Sequence, residues 1–398
     1  MPNAVVGQSG GPTAVINQSL AGVVEALQGR PDFDGKILGA RHAVAGVVRG
    51  DFADLTGIAA DRLDLIAGTP SSALGSSRDK PDAAYCEKIF ESFAKHDVGY
   101  FFYAGGNDSS DTCRIVAEMA AEKDYDLKAF HVPKTIDNDL KVNDHTPGFG
   151  SAAKFVAQAF MGDDLDNRAL PGIKINVVMG RHAGFLTAAS VAGAVAEDSG
   201  PHLVYVPEVT FDEDKFIDDV ERVYKKLGRC LIAVSEGIHD ADGQAIITKL
   251  QEDVEKDAHG NVQLSGSGAL GDLLSDLVKK KLGDRLGEKL RVRADTFGYL
   301  QRSFVGCVSE VDAREAREAG RRAVAAAFES GRGSGSIAIV RTSSDPYAVE
   351  YRTIDISEVA ALTRHMPEEF LGGEKGVTEA FVEYVKPVIG ELPRIGLL

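Results

Sequence analysis

The stretch Pro133-Lys134-Thr135-Ile136-Asp137-Asn138-Asp139 decides how the rest of this 398-residue chain is read. It gathers one lysine, one hydroxyl and two carboxylates. An apolar run at residues 127–132, broken by Lys128 and His131, precedes it and predicts a buried strand ending at the proline. Ligands of open α/β sheets bind at the carboxyl ends of strands. Phosphoryl transfer to an alcohol requires a carboxylate to take the proton and cations to hold the phosphates. Both kinds of group stand here. Taken alone, such a stretch is most simply a polar turn, because Asp and Asn dominate turns.

Three other loops change that reading. Gly7-Gln8-Ser9-Gly10-Gly11 follows a strand at 3–6 and opens a helix at about 14–27. Glycines at such a turn let backbone N–H groups close on a phosphate, and the helix N-terminus adds positive potential. Gly105-Gly106-Asn107-Asp108-Ser109 follows the strand at 98–103, with a Ser/Asp cluster that suits a helix start. Met179-Gly180-Arg181-His182-Ala183-Gly184 follows the strand at 173–178 and holds an arginine between two glycines. Four strand-to-helix turns with this chemistry are hard to explain as packing.

These loops, with Ser235-Glu236-Gly237 and Gly298-Tyr299-Leu300-Gln301-Arg302, resemble the phosphofructokinase family in order and approximate spacing, from Ala4 to about Arg302. The resemblance implies an α/β fold of two Rossmann-like parallel-sheet domains with the active site between them. It implies a phosphoryl-donor domain at 1–147 plus about 301–346, a sugar-phosphate domain at 148–300 and a C-terminal extension at 347–398. Two positions separate donors within the family, and Asp108 and Lys134 look like those of its pyrophosphate-dependent branch. A carboxylate at Asp108 repels the ATP α-phosphate and fills its space. Lys134 brings an ammonium to the phosphates where ATP-using relatives carry glycine.

The resemblance also implies roles. Asp137 looks like the base for the 1-hydroxyl of fructose 6-phosphate, and Lys134 like the stabiliser of the transferred phosphoryl. Thr135 and Asp139 look like sugar-side or metal-side contacts, and Gly11 and Arg78 like donor-phosphate contacts. Met179, Gly180 and Arg181 would line the sugar-phosphate pocket, and Glu236 would bind sugar hydroxyls. Arg293, Tyr299 and Arg302 would hold the 6-phosphate. Mg²⁺ is the implied cofactor, at Asn107 and Asp108, with Asp139 a further candidate; the family's usual aspartate is Asn107 here, which ligates only through a neutral carbonyl. The resemblance implies a homodimer or homotetramer in which a second subunit supplies a cation to the 6-phosphate. Rival readings are an ATP-dependent kinase, a non-catalytic paralogue favoured by Asn107 and opposed by Asp137, and a related sugar such as sedoheptulose 7-phosphate.

Composition is consistent with this. The net charge of −16 argues against nucleic acid or an anionic membrane as partner. Cys86, Cys113, Cys230 and Cys307 form no CxxC pair, which argues against zinc and for a reduced, cytoplasmic compartment. No basic-then-apolar leader follows Met1, and no apolar run approaches membrane-spanning length. Among the histidines, only His182 stands beside the expected chemistry; Lys174 could reach a phosphate, though a strand-edge lysine is more often just solvated. Further strands are expected near Lys36, Asp64, Leu203, Leu231 and Ile337, and helices at 81–95, 110–123, 213–227, 270–282 and 313–329. A polar loop is expected at 249–267 and a flexible join at 331–336. After about Tyr347, a strand plus a helix is expected.

Overall fold

The computed structural model describes residues 1–250 and 268–397, so positions 251–267 of the expected polar loop lie outside the described residues. In chain order the elements begin with β1 (Asn3–Gln8), α1 (Ile16–Gln28), β2 (Ile37–Ala40), α2 (Ala43–Arg49) and β3 (Phe52–Asp54). There follow α3 (Ala60–Ala67), α4 (Ala83–Lys95), β4 (Val98–Gly105), α5 (Asn107–Glu122) and β5 (Lys128–Pro133). Next come α6 (Phe149–Ala169), β6 (Ile173–Val178), α7 (Phe185–Ala188), β7 (Leu203–Tyr205), α8 (Glu213–Leu227) and β8 (Cys230–Ser235). The chain continues through α9 (Ala269–Leu286), β9 (Val292–Thr296), α10 (Glu310–Glu329), β10 (Ser334–Ser344) and β11 (Tyr347–Ile354). It closes with β12 (Leu371–Gly372), β13 (Gly376–Val377) and α11 (Glu379–Ile389).

The described chain divides into two compact units. The first, residues 1–151 and 302–364, holds a sheet ordered β11-β10-β5-β4-β1-β2-β3. Strands β10, β5, β4, β1 and β2 run parallel, and β11 and β3 are antiparallel edges. Both faces are covered. Phe101 and Tyr103 of β4 pack with Cys113 and Val116 of α5, while Phe102 and Ala104 pack with α1 and α10 residues such as Val24 and Ala323. That alternation is the two-residue period of a strand buried on both faces. From β1 the chain goes to β2 on one side and later to β4 on the other, so the order reverses between β1 and β4. Loops at the carboxyl ends of those strands flank a crevice where doubly wound folds bind ligands.

Helices α1 and α10 approach closely through a glycine on each. A Cβ on Gly22 would lie 1.9 Å from the Arg317 carbonyl oxygen, and one on Gly320 would lie 2.3 Å from that of Ser19. Alanine at either position forces the helices apart, an overpacking that costs about 1–3 kcal/mol. The contact fixes α1, and so the glycine loop at its start.

The second unit, residues 152–301 and from His365 on, holds a fully parallel sheet ordered β7-β8-β6-β9. Its core joins Ile175, Val177, Ile232 and Val234 to Phe216 and Val220 of α8 and Leu274 and Val278 of α9. The strand and helix expected after Tyr347 are β11 and α11, which fall in different units.

Three local expectations are corrected. Residues near Asp64 form helix α3, not a strand: Leu63 and Ala67, four apart, are buried, while Leu65 is 74 % exposed. The apolar residues therefore follow the helical period, not the strand's. Lys174 is not a solvated edge lysine. Its strand, β6, is interior, and its ammonium pairs with Asp163 and, at 3.1 Å, with Asp295. The join expected at 331–336 already includes the start of β10, where Ser334 to Ser336 pair with β5.

Candidate active site

In the first unit, the loops after β1, β4 and β5 are bound to one another. Gly10 has φ +76, which glycine adopts without strain, and a Cβ there would lie 3.1 Å from Lys134 Nζ. A Cβ on Gly11 would lie 3.0 Å from the Arg302 guanidinium carbon. The bare glycines thus let two cations close on the loop, and Lys134 Nζ donates to the Gly11 carbonyl at 2.8 Å. Ser109 Oγ donates to Ser9 Oγ at 2.9 Å, and Lys134 N donates to the Gly105 carbonyl at 3.0 Å. Gln8, fully buried, accepts from Ser72 Oγ and Leu74 N and donates to Asn17 Oδ1.

The decisive stretch is fixed by its neighbours. Thr135 Oγ1 accepts from Asp137 N at 3.1 Å. Asn138 holds the left-handed φ of +61, and its Oδ1 accepts from Thr146 N at 3.1 Å. Thr146 Oγ1 donates to the Thr135 carbonyl at 2.8 Å. Beneath, His145 lies between Asp144, 2.7 Å away, and Glu315 of α10, 2.5 Å away. Burial opposes its charge, but the two carboxylates outweigh burial and push its pKa up to about 9.

Electrostatically the cluster is tense. Lys134 is 3 % exposed; burial first, then the positive charge of Arg302, draws its pKa down to about 7, against the pull of Asp137 and Asp139. Burial, then repulsion from Asp137, pushes Asp139 well above the ordinary carboxylate range. Asn107 Nδ2 donates to Asp139 Oδ2 at 2.9 Å, while Asn107 Oδ1 is buried without a hydrogen-bond partner. Among the described residues, no three His, Cys, Asp or Glu side chains gather as a metal site. The pair Asn107 Oδ1 and Asp139 is nonetheless a hard-oxygen donor set of the kind Mg²⁺ uses, since Mg²⁺ takes few protein ligands and completes its shell with phosphates and water. Asp108, exposed on the first turn of α5, pairs with Lys80 at 2.9 Å.

The structure thus brings together Gly11, Lys134, Thr135, Asp137, Asp139, Asn107 and Arg302, with Arg78 close enough to depress Lys134 further. The sequence reading grouped Arg302 with Arg293; the structure sets its guanidinium against Gly11. One residue the motifs did not reveal is Arg364. Its backbone N donates to the Asp139 carbonyl at 2.7 Å, and its Nη1 to the Asp144 carbonyl at 2.5 Å. No motif reaches that far along the chain.

In the second unit, Met179 and Gly180 directly follow β6 and are buried. Gly180 has φ +143, and a Cβ would meet the Ala183 carbonyl oxygen at 2.7 Å. Ser235 Oγ donates to the Gly180 carbonyl at 2.5 Å, and Glu236, 7 % exposed, is held by its backbone N on the Val178 carbonyl at 2.9 Å. A Cβ on Gly237 would lie 2.1 Å from the Arg181 carbonyl oxygen, so this glycine permits the two loops to touch. Arg181, His182, Gly237, His239 and His365 line an open cavity of about 500 Å³. His239 and His365 join His182 beside Arg181; they come from distant segments that only folding gathers. Arg293 and Tyr299 are exposed, and Arg293 Nη1 donates to the Val292 carbonyl at 2.9 Å.

All four cysteines are free and buried. Among the described residues no helix is long and apolar enough to cross a membrane.

Known proteins agree with this architecture. The family profile described as phosphofructokinase matches residues 3–327. A pyrophosphate–fructose 6-phosphate 1-phosphotransferase of Rhodospirillum rubrum is 58 % identical over 388 residues, covering 97 % of this chain and 94 % of that protein. One of Methylococcus capsulatus is 37 % identical, covering 97 % and 91 %. The crystal structure of a pyrophosphate-dependent phosphofructokinase from Nitrosospira multiformis superposes with a TM-score of 0.86 at 34 % identity, covering all of this chain and 94 % of that one. With two parallel-sheet units and its loops in the same order, this chain belongs to the phosphofructokinase family.

Proposed function

We propose that this enzyme transfers a phosphoryl group reversibly from pyrophosphate to the 1-hydroxyl of fructose 6-phosphate, giving fructose 1,6-bisphosphate and phosphate. The observation that carries the donor assignment is Lys134, buried against the Gly10-Gly11 loop with its ammonium on the Gly11 carbonyl. A cation in that place serves a compact, highly charged donor. Asp108 opposes a nucleotide by its bulk.

In this reading Asp137 accepts the proton of the 1-hydroxyl as the oxygen attacks the terminal phosphorus of pyrophosphate. The bond from that phosphorus to the bridging oxygen breaks, and phosphate leaves. Lys134, Gly11 N–H and Arg78 hold the donor, and Thr135 orients Asp137 through the bond from Asp137 N. Arg181 and Arg302 add cations to the substrate phosphates. Met179, Gly180 and Glu236 bind the sugar, and Arg293 and Tyr299 its 6-phosphate. Asn107 Oδ1 and Asp139 would hold Mg²⁺, with Asp108 a further candidate. When bound, that ion neutralises charge on the phosphates.

We read the protein as a cytoplasmic homodimer or homotetramer, with a second subunit completing the 6-phosphate clamp. The exposed apolar side chains Phe304 and Val305, close to Arg302 in the chain, support a covered face there. Light scattering that finds an active monomer at nanomolar concentration contradicts it. The function itself is tested in reverse. Fructose 1,6-bisphosphate with phosphate should yield pyrophosphate and fructose 6-phosphate; no pyrophosphate, in the presence of Mg²⁺, overturns the reading.

A further inference from the structure

We infer that Lys80 is a positioning residue for donor selection: it neutralises Asp108, so that the carboxylate excludes a nucleotide without repelling pyrophosphate. The inference rests on the pyrophosphate reading above and deepens it.

Residues 76–80 lie across the donor loops. Ser76 Oγ donates to the Gly10 carbonyl at 2.6 Å, and Gly10 N donates to the Ser77 carbonyl at 3.0 Å. Asp79 is turned by its own N–H on Ser77 Oγ, 2.9 Å, and accepts from the Tyr85 hydroxyl at 2.7 Å. Lys80 then reaches the first turn of α5, where its Nζ lies 2.9 Å from Asp108 Oδ1. One short segment therefore joins the glycine loop, Arg78 and the helix start that carries Asn107.

A bare carboxylate beside these groups works against the donor. The N-terminal turn of a helix favours anions, and Asp108 already fills that role. Pyrophosphate arriving close by meets repulsion unless a cation offsets it. Lys80 is that cation. The pair is half-exposed, 52 % for the lysine side chain and 66 % for the aspartate, so it adds little to folding stability. Its effect falls on the donor. Bulk and charge separate here: the Asp108 side chain keeps its volume when paired, and its net repulsion is cancelled.

The test is a double-mutant cycle with steady-state kinetics in both substrates. Lys80→Ala should raise the pyrophosphate KM about tenfold, as one uncompensated charge near an exposed anion would. The fructose 6-phosphate KM and the melting temperature should not move, and Lys80→Arg should restore the donor KM. In an Asp108→Asn background, removing Lys80 should change the pyrophosphate KM by no more than about twofold, because the two sites act as one. An unchanged KM in Lys80→Ala overturns the inference. So does a penalty that persists in Asp108→Asn, which would mean that Lys80 touches the donor itself. If the wild-type protein does not turn over pyrophosphate at all, the function fails first, and that result is distinct from either.

Discussion

Lys134 is 3 % exposed and hydrogen-bonded to a neighbouring loop, whereas Arg293 lies open on its strand with its guanidinium turned back on the adjacent carbonyl. The same contrast runs through the two units. In the first unit, Lys134, Asp139 and the buttress at His145 are crowded, cross-linked and shifted in pKa. In the second, Glu236 and Met179 are buried but the cations Arg181 and Arg293 are partly or fully open to water. In the proposed function that difference separates chemistry from capture. Preorganised charge in a buried setting lowers a barrier, because it need not reorganise during the reaction. Exposed cations collect an anionic substrate on an acidic protein, and their contribution is screened by salt. Variants of the first unit should therefore move kcat or donor binding, and variants of the second should move the sugar KM.

The largest break is expected at Asp137. Asp137→Asn keeps the shape and removes the proton acceptor, so kcat should fall about 10²–10⁴-fold with little change in either KM. Turnover above about a third of wild type would remove Asp137 from the role of base.

Lys134→Met should lower kcat/KM for pyrophosphate by about 10²-fold, the scale of one preorganised charge contact. A pH profile sharpens this. The ammonium is present below pH 7 and is lost as pH rises through its pKa of about 7, because burial disfavours the charge. The pyrophosphate KM should therefore climb above pH 7, by at most about tenfold per unit. Lys134→Arg, which stays charged, should abolish that limb; a flat wild-type profile would contradict the burial argument.

On the sugar side, Glu236→Gln should raise the fructose 6-phosphate KM about tenfold, as loss of charged hydrogen bonds to hydroxyls does. The pyrophosphate KM should stay put. If both KM values rise together, the division of roles between the two units is wrong. The smallest effect is expected at Arg364, which only steadies the Asp139 loop. Arg364→Met retains the backbone bond to Asp139 and removes the guanidinium, so kcat should fall only about three- to tenfold. A loss as large as that of Asp137→Asn would place Arg364 in the chemistry itself.

Much of this was legible in the sequence because it is local. A strand, a glycine turn and a helix start lie within a dozen residues of one another, so Gly10-Gly11, Gly105-Gly106 and Met179-Gly180-Arg181 carried their own context. What tertiary contacts build was not legible. Lys80 meets Asp108 and Arg364 meets Asp139 only after folding, and His239 and His365 join Arg181 from separate segments. The segment at Asp64 misled because a short apolar run does not distinguish a buried strand from an amphipathic helical turn. Lys174 misled because parallel-sheet order decides whether a strand is interior, and its carboxylate partners sit on α6 and β9.

The central claim is that the buried ammonium of Lys134 and the carboxylate of Asp108 select pyrophosphate as donor. The most direct test is one coupled assay of fructose 6-phosphate phosphorylation, with Mg²⁺ and with pyrophosphate and ATP run side by side. The account predicts turnover with pyrophosphate and none with ATP. Robust turnover with ATP and none with pyrophosphate would contradict it.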